Sequence, residues 1–302
     1  MAAREKTTAR PKLACEVSAG HIVAARAGRG GSSVELVSAR TLPPGSVTPS
    51  LSGTNVPDIH GVRLAISEAL NAVRGRSRDV IAILPDAAVR VVLLDFDTLP
   101  DKEQEAAAIV RFRLKKSLPF NVEDAVLSFD AHRSDEGHKV VAAVVPRHVI
   151  DEYESAFRDA GYVPSVVVPS ILAALGAVEA DRPTLLIKLD GSSTGVAIVD
   201  RNELRLVRTL ENPNGADPAA AAEHIAADVY PSMVFFEDTC NSRIERIFLA
   251  GIPNVTKIAS ALEAQTGLPV QTLTSAHNLD PSIASGSTPP SLLAGVVGAL
   301  WG

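Results

Sequence analysis

The chain has 302 residues, 46% of them hydrophobic and 21% charged, which suits about two globular domains and excludes a disordered chain. A net charge of −6 and only 4% aromatic residues argue against nucleic acid as a partner. The longest apolar run, Leu292 to Trp301, is too short for a membrane span, which takes about 20 residues.

Residues 1–11 read as a polar, basic, flexible tail without an apolar stretch, so a cytoplasmic, reducing location is expected. Leu13 to Ala25 then forms two apolar strands around the turn Ser18-Ala19-Gly20, followed by strand-like pieces near Val34 to Ala39. The loop from Thr41 to Asp58 is crowded with Pro, Ser, Gly and Thr. Val62, Ala65, Ile66, Ala69, Leu70 and Val73 share one face of a helix near Gly61 to Val73. Strand Val80 to Leu84, the turn Pro85-Asp86 and strand Val89 to Phe96 come next. Asp101 is expected to cap a helix reaching about Ser117. Val126 to His132 and Lys139 to Val145 pair around Ser134 to Gly137. A helix from Pro146 to Asp159 is ended by Gly161, and strand Val163 to Val168 and helix Ser170 to Glu179 complete the first half.

Asp181 to Pro183 reads as a hinge between halves 12–182 and 183–302. The second half opens on Leu185 to Val199, two apolar strands around Asp190-Gly191-Ser192-Ser193-Thr194. It continues with a helix near Pro218 to Glu237, strand Ile244 to Leu249, the loop Ala250 to Asn254, helix Val255 to Thr266 and strand Val270 to Leu273. A polar loop and a short apolar helix near 290–302 follow, the helix expected to pack back on the first half. Strands separated by helices imply open α/β sheets. One layout thus occurs twice, about 170 residues apart: apolar strand, tight Ser/Gly turn, apolar strand. Two such turns facing each other across a cleft present backbone N–H groups and hydroxyls suited to the phosphates of one nucleotide. This is the logic of the two-lobed actin-like ATPase (ribonuclease H-like) fold.

In this order the chain resembles the PilM family, the actin-like cytoplasmic proteins of type IV pilus assembly. The resemblance rests on Ile81 to Pro85, Val89 through Leu99-Pro100, Arg111-Phe112, Leu118-Pro119-Phe120 and Val126 to Asp130. Ala160 to Pro164, Arg208 followed by Gly215, and Leu293 to Leu300 keep the same order. It implies a small inserted α+β subdomain at about 80–146 in the first lobe, and a scaffold recruited to the inner membrane through partners. Those partners would be other pilus assembly proteins and the cytoplasmic N-terminal tail of a PilN-like membrane protein. The tail is expected as an extended peptide along Ile81 to Phe96 and Leu118 to Phe129.

By the same resemblance ATP and magnesium would lie near Glu16, Ser18, Gly20, Lys188, Asp190, Gly191, Ser192, Ser193, Thr194 and Gly251. The departures from the family pattern fall on this site. The first loop reads Glu16-Val17-Ser18-Ala19 where the family has Asp-Ile-Gly-Ser, and the Lys expected soon after is absent. Lys188 replaces the acid at the end of the second strand, with Asp190 two residues on; a Lys can hold neither magnesium nor an attacking water. Ala250-Gly251 keeps one glycine of the pair expected beside adenosine. The expectation is a degenerate cleft with weak ATP binding and inefficient hydrolysis, and no catalytic or metal-ligating residue is assigned. The alternatives are an active ATPase or kinase with Asp190 as base, and a filament-forming relative.

Other patterns carry less. Gly191-Ser192-Ser193-Thr194-Gly195 matches the serine-hydrolase pattern but is followed by a strand where a nucleophile elbow needs a helix. Cys15 and Cys240 read as small buried hydrophobes. The seven histidines lack metal-ligand spacing. Asp95 and Asp97 read as one exposed strand face. Arg111, Arg113, Lys115 and Lys116 read as solvated charge that suits the helix dipole, with docking to an acidic or lipid surface as the lesser reading.

Overall fold

The structure is a computed structural model that describes residues 10–28, 33–134, 137–191, 193–212, 222–273, 279, 283 and 288–301. The tail up to residue 9, Ser192, Gly215 and the start expected for the long helix near Pro218 lie outside the described residues.

The first lobe is built on β1 (Leu13–Val17), β2 (His21–Ala27), β3 (Val34–Thr41), β4 (Asp79–Leu84) and β8 (Val163–Pro169), in the sheet order β3-β2-β1-β4-β8. The second lobe repeats the plan with β9 (Thr184–Asp190), β10 (Ser193–Asp200), β11 (Glu203–Glu211), β12 (Arg246–Ala250) and β13 (Val270–Thr272), in the order β11-β10-β9-β12-β13. Each lobe therefore has an antiparallel meander continued by parallel strands, with β1 and β9 central. Every residue of β9 and β10 is buried, as expected for strands covered on both faces.

Helices cover the sheets where the apolar periodicity requires it. Helix α1 (Ile59–Ala72) buries Val62, Ile66, Ala69 and Leu70. Asp58, not a residue nearer Gly61, caps it by accepting from the Gly61 N–H at 3.0 Å, so the helix starts earlier than the periodicity alone suggests. Helix α3 (Arg147–Asp159) buries Val149, Ile150, Tyr153 and Phe157, and Gly161 at φ +86° ends it. Helix α4 (Ser170–Leu175) is shorter than the span to Glu179. In the second lobe α5 (Ala222–Cys240) and α6 (Thr256–Thr266) pack on the sheet through Ile225, Val229, Phe236, Ile258 and Leu262. Cys15 is buried, but Cys240 is exposed at the end of α5, because the helix runs past its last buried residue, Phe236.

The last helix, α7 (Ala294–Trp301), lies on β1, β2 and β4 of the first lobe and against α4. Its Val296, Val297 and Leu300 join Ala14, Val23, Ile81 and Ile83 in one apolar cluster. The chain's end thus closes the core of its beginning. Gly298 makes the α4 contact possible, since a Cβ there would stand 2.0 Å from the Ala173 carbonyl oxygen.

The inserted subdomain has its own sheet of β5 (Arg90–Phe96), β6 (Ala125–Ser134) and β7 (Gly137–Pro146), ordered β5-β7-β6. Because β4 belongs to the first-lobe sheet, the insertion begins after Leu84 rather than at residue 80. Helix α2 (Glu103–Leu114) covers this sheet through Ala106, Val110 and Leu114. Lys102, not Asp101, occupies the cap position, without a side-chain cap, and the helix stops at Leu114 rather than Ser117. The Arg111 guanidinium, donating to the carbonyls of Val122 at 2.9 Å and Ala125 at 3.4 Å, ties α2 to the start of β6. Asp95 and Asp97 are exposed. The subdomain also reaches the second lobe, where Lys139 pairs with Glu203 at 3.0 Å.

Candidate functional site

In open α/β sheets, ligands gather at the carboxyl ends of the strands. Here those ends bring together Glu16 from β1, Asp86 just after β4, and Lys188 and Asp190 from β9. All four are nearly inaccessible, at 3%, 3%, 3% and 6% exposure. Lys188 Nζ forms an ion pair with Glu16 Oε1 across the lobes. The same oxygen accepts a 2.6 Å hydrogen bond from Ser170 Oγ at the start of α4. Gly295 of α7 presses on this carboxylate, since a Cβ there would lie 2.3 Å from Glu16 Oε2.

The two Ser/Gly turns meet directly. The Ala19 N–H donates to Asp190 Oδ1 at 2.8 Å, and a Cβ on Gly191 would lie 2.7 Å from the Ala19 Cβ. Their polar groups are largely spent within the protein. Ser18 Oγ donates to the His21 carbonyl at 2.9 Å and accepts from the His21 N–H at 3.0 Å, while the Gly20 carbonyl accepts from Leu42. Thr194 Oγ1 donates to Asn212 Oδ1 at 2.9 Å, and Ser193 Oγ to the Asp190 carbonyl at 3.3 Å. Strand β10 begins at Ser193 with no helix after it, so the nucleophile-elbow geometry is absent at that serine. Ser192 lies outside the described residues.

Gly251, at φ +101°, packs against β9, where a Cβ would stand 2.0 Å from the Leu189 carbonyl oxygen. Its N–H donates to the Ser291 carbonyl at 2.8 Å. In this structure the glycine serves close backbone packing.

Asp86, in the turn after β4, completes the cluster. Its Oδ1 accepts from the Ile171 N–H at 2.8 Å, and a Cβ on Gly195 would stand 2.6 Å from its Oδ2, so Gly195 leaves room for the carboxyl. The available signal was an acid directly after an apolar parallel strand, where a cleft is expected.

Burial dominates the electrostatics of the cluster. It pushes the Asp86 carboxyl up to about 7, against the opposing pull of Lys188 and the Ile171 N–H and with a further push from Asp190 and Glu16. Burial likewise raises Asp190 to about 6, opposed by Lys188 and the Ala19 N–H. Burial alone would lower the Lys188 ammonium, but Glu16 foremost, with Asp86 and Asp190, holds it above its usual value. Asp190 Oδ2 has no hydrogen-bond partner among the described residues. The cluster thus holds one ammonium among several carboxyls, which makes it a proton acceptor near neutral pH.

Next to it, a cavity of about 580 Å³ opens between the lobes, lined by Ser50, Asp86, Arg90, Ser193, Glu211 and Asn212. A smaller one of about 270 Å³ lies in the second lobe between Tyr230, Met233, Glu237, Arg243 and Leu268. It is beside the amino-terminal side of β12, away from the ionic cluster.

A nucleotide with magnesium, the ligand that the facing turns suggest, does not fit between them as they stand. The turns touch at Ala19 and Gly191, and the position expected to carry a metal-holding acid carries Lys188, already engaged by Glu16.

No family model matches the sequence, and no curated protein matches it. Among solved structures, the chain is similar to one described as a PilM-PilN type IV pilus biogenesis complex, with a TM-score of 0.81 at 21% identity, covering 97% of this chain and 98% of the other. It is similar to a Bacteroides thetaiotaomicron protein with an actin-like ATPase fold, with a TM-score of 0.52 at 8% identity over 85% and 89% of the two chains. The cytoplasmic domain of EpsL, an inner-membrane component of the type II secretion system of Vibrio cholerae, gives a TM-score of 0.50 at 11% identity over 93% and 97%. No helix among the described residues is long and apolar enough to cross a membrane. The duplicated sheets, the facing turns and these likenesses give the chain a PilM-like actin-like ATPase fold, two-lobed and with a small subdomain inserted in its first lobe.

Proposed function

We propose that the chain is a scaffold of a type IV pilus or related secretion assembly, working at the cytoplasmic face of the inner membrane. Its partner is the cytoplasmic tail of a PilN-like protein, and other assembly proteins join it there. The observation that carries this reading is the likeness, over nearly the whole chain, to a solved structure described as a PilM-PilN type IV pilus biogenesis complex, with a TM-score of 0.81. That coverage takes in the inserted subdomain as well as both lobes. The outer edge of β6 is unpaired among the described residues, which suits an extended peptide adding as a strand.

The cleft, in this reading, is a fixed joint between lobes instead of an ATPase site. Lys188 stands where a cation-holding acid is expected and supplies the positive charge itself, so nucleotide binding is weak and turnover inefficient. The test is titration with a synthetic peptide of the PilN-like tail, followed by calorimetry, beside thermal unfolding with magnesium ATP. Saturable peptide binding is expected. ATP at about a hundred times its dissociation constant would add about 2.7 kcal/mol, so a tight site is easily seen. The wild type is expected to show little shift and little phosphate release. Turnover abolished by changing Glu16 or Asp190 would establish an active ATPase, and absence of peptide binding would remove the scaffold reading.

A further inference from the structure

The carboxyl-terminal half of α2 and the turn after it differ in charge from the rest of the molecule. Residues 109–120 hold Arg111, Arg113, Lys115 and Lys116 and no acid, in a chain of net charge −6. Burial of Ala106, Val110 and Leu114 against the subdomain sheet fixes the rotation of the helix. Ile109, Phe112 and Arg113 are thereby turned outward, and Lys116 follows one turn on. Phe112 is 78% exposed, the highest value among the exposed large hydrophobic residues described. Arg113, Lys115 and Lys116 are exposed. None of the three makes a side-chain hydrogen bond or ion pair among the described residues.

The helix dipole accounts for cations at this end, but it gives no reason for a bare phenylalanine among them. Tyr230, Val234 and Phe235 on α5 are exposed too, but there a single guanidinium, Arg208, lies over the Phe235 ring at 5.5 Å and Glu237 and Asp238 follow, so the group lacks this positive excess.

We propose that this face of α2 is a contact surface for an anionic lipid bilayer. A projecting aromatic ring flanked by cations matches the bilayer interface, which takes the ring at headgroup depth while the ammonium and guanidinium groups stay among the lipid phosphates. An acidic peptide pairs with clustered cations but gives no place to the projecting ring, and here the chain offers a convex helix whose backbone is already bonded. One ring and three free cations give a weak, reversible contact. It adds to whatever protein partner holds the chain at the membrane, and it does not depend on the function proposed above.

The full chain is tested by co-sedimentation with vesicles of phosphatidylglycerol and phosphatidylcholine, against vesicles of phosphatidylcholine alone, at about 0.1 M salt, where charges act over about 10 Å. Binding to the anionic vesicles only is expected, and its loss at about 1 M salt, where that range falls to about 3 Å. Each surface cation contributes about fivefold to partitioning, so the Arg113→Glu, Lys116→Glu double variant should bind at least about 25-fold less. Phe112→Ser should bind about tenfold less. Leu64→Ser, at a residue 58% exposed on α1, should bind as the wild type does. Unchanged melting midpoints show that the variants are folded. No vesicle binding, equal binding to neutral vesicles, or indifference to the charge reversal would overturn the proposal. Capture of an oligo-glutamate peptide through the same residues, without vesicle binding, would also overturn it and assign the face to an acidic protein.

Discussion

The two lobes share a strand plan but not their chemistry, and the difference is concentrated at two positions. Strand β1 carries Glu16 near its carboxyl end, and its counterpart β9 carries Lys188. The apolar residues around them are interchangeable in kind, because each need only fill a two-sided sheet. The polar pair is complementary, so each lobe neutralises the charge that the other buries. The facing turns and strand ends meet through the protein's own groups, the Ala19 N–H on Asp190 and Lys188 on Glu16. A buried pair of this sort adds little net stability compared with apolar residues, but it is costly to break from one side.

The largest effect should therefore come from removing one partner. Lys188→Met leaves Glu16 unpaired in a dry site and is expected to lower stability by about 3 to 5 kcal/mol in a denaturant titration. Glu16→Leu combined with Lys188→Met should recover most of that loss. Recovery would show that complementarity, not either charge alone, joins the lobes; an additive double variant would break the comparison.

A smaller effect is expected from Gly295→Ala. The added methyl would stand 2.3 Å from Glu16 Oε2, so the buried carboxylate must move and strain its ion pair with Lys188, at a cost of about 1 to 3 kcal/mol. Gly53→Ala is a poor control because Gly53 has φ +74°. Gly20→Ala is a better one, since a Cβ there meets nothing within 4 Å. An equal loss in both variants would refute the crowding at Glu16.

The finest probe is pH. Asp86 is raised from 3.8 to about 7, so the folded state binds its proton more tightly than the unfolded chain does. The stability linked to this group is fully present below about 4 and is lost as pH rises through about 7. Asp190, raised to about 6, acts in the same direction. Asp86→Asn should flatten the fall of stability across that window by up to about 1.4 kcal/mol per pH unit. An unchanged slope would place the titrating proton elsewhere in the cluster.

Much of the architecture was legible from apolar spacing. The repeated strand, turn and strand at Leu13 and Leu185, the face of α1, and the hairpin of β6 and β7 are local patterns, fixed by which side chains must leave water. The ends of elements were less legible. Whether Asp101 or Lys102 begins α2, and whether α4 stops at Leu175, depends on what each end packs against. The candidate site was legible in part. Glu16, Lys188 and Asp190 stood out because they break a motif, whereas Asp86 and Ser170 joined them only in three dimensions.

The sequence by itself determined two related α/β halves, each opening on a strand, a Ser/Gly turn and a strand, while the insertion in the first followed from the family resemblance. Tertiary structure alone decided that Lys188 reaches Glu16, that Asp190 is bonded by the Ala19 N–H, and that Gly295 of the last helix closes over Glu16. The physical reason is range. Hydrophobic periodicity acts between residues a few positions apart, so it is written in the local sequence. A buried charge is satisfied by whichever partner the completed fold brings near, here 172 residues away.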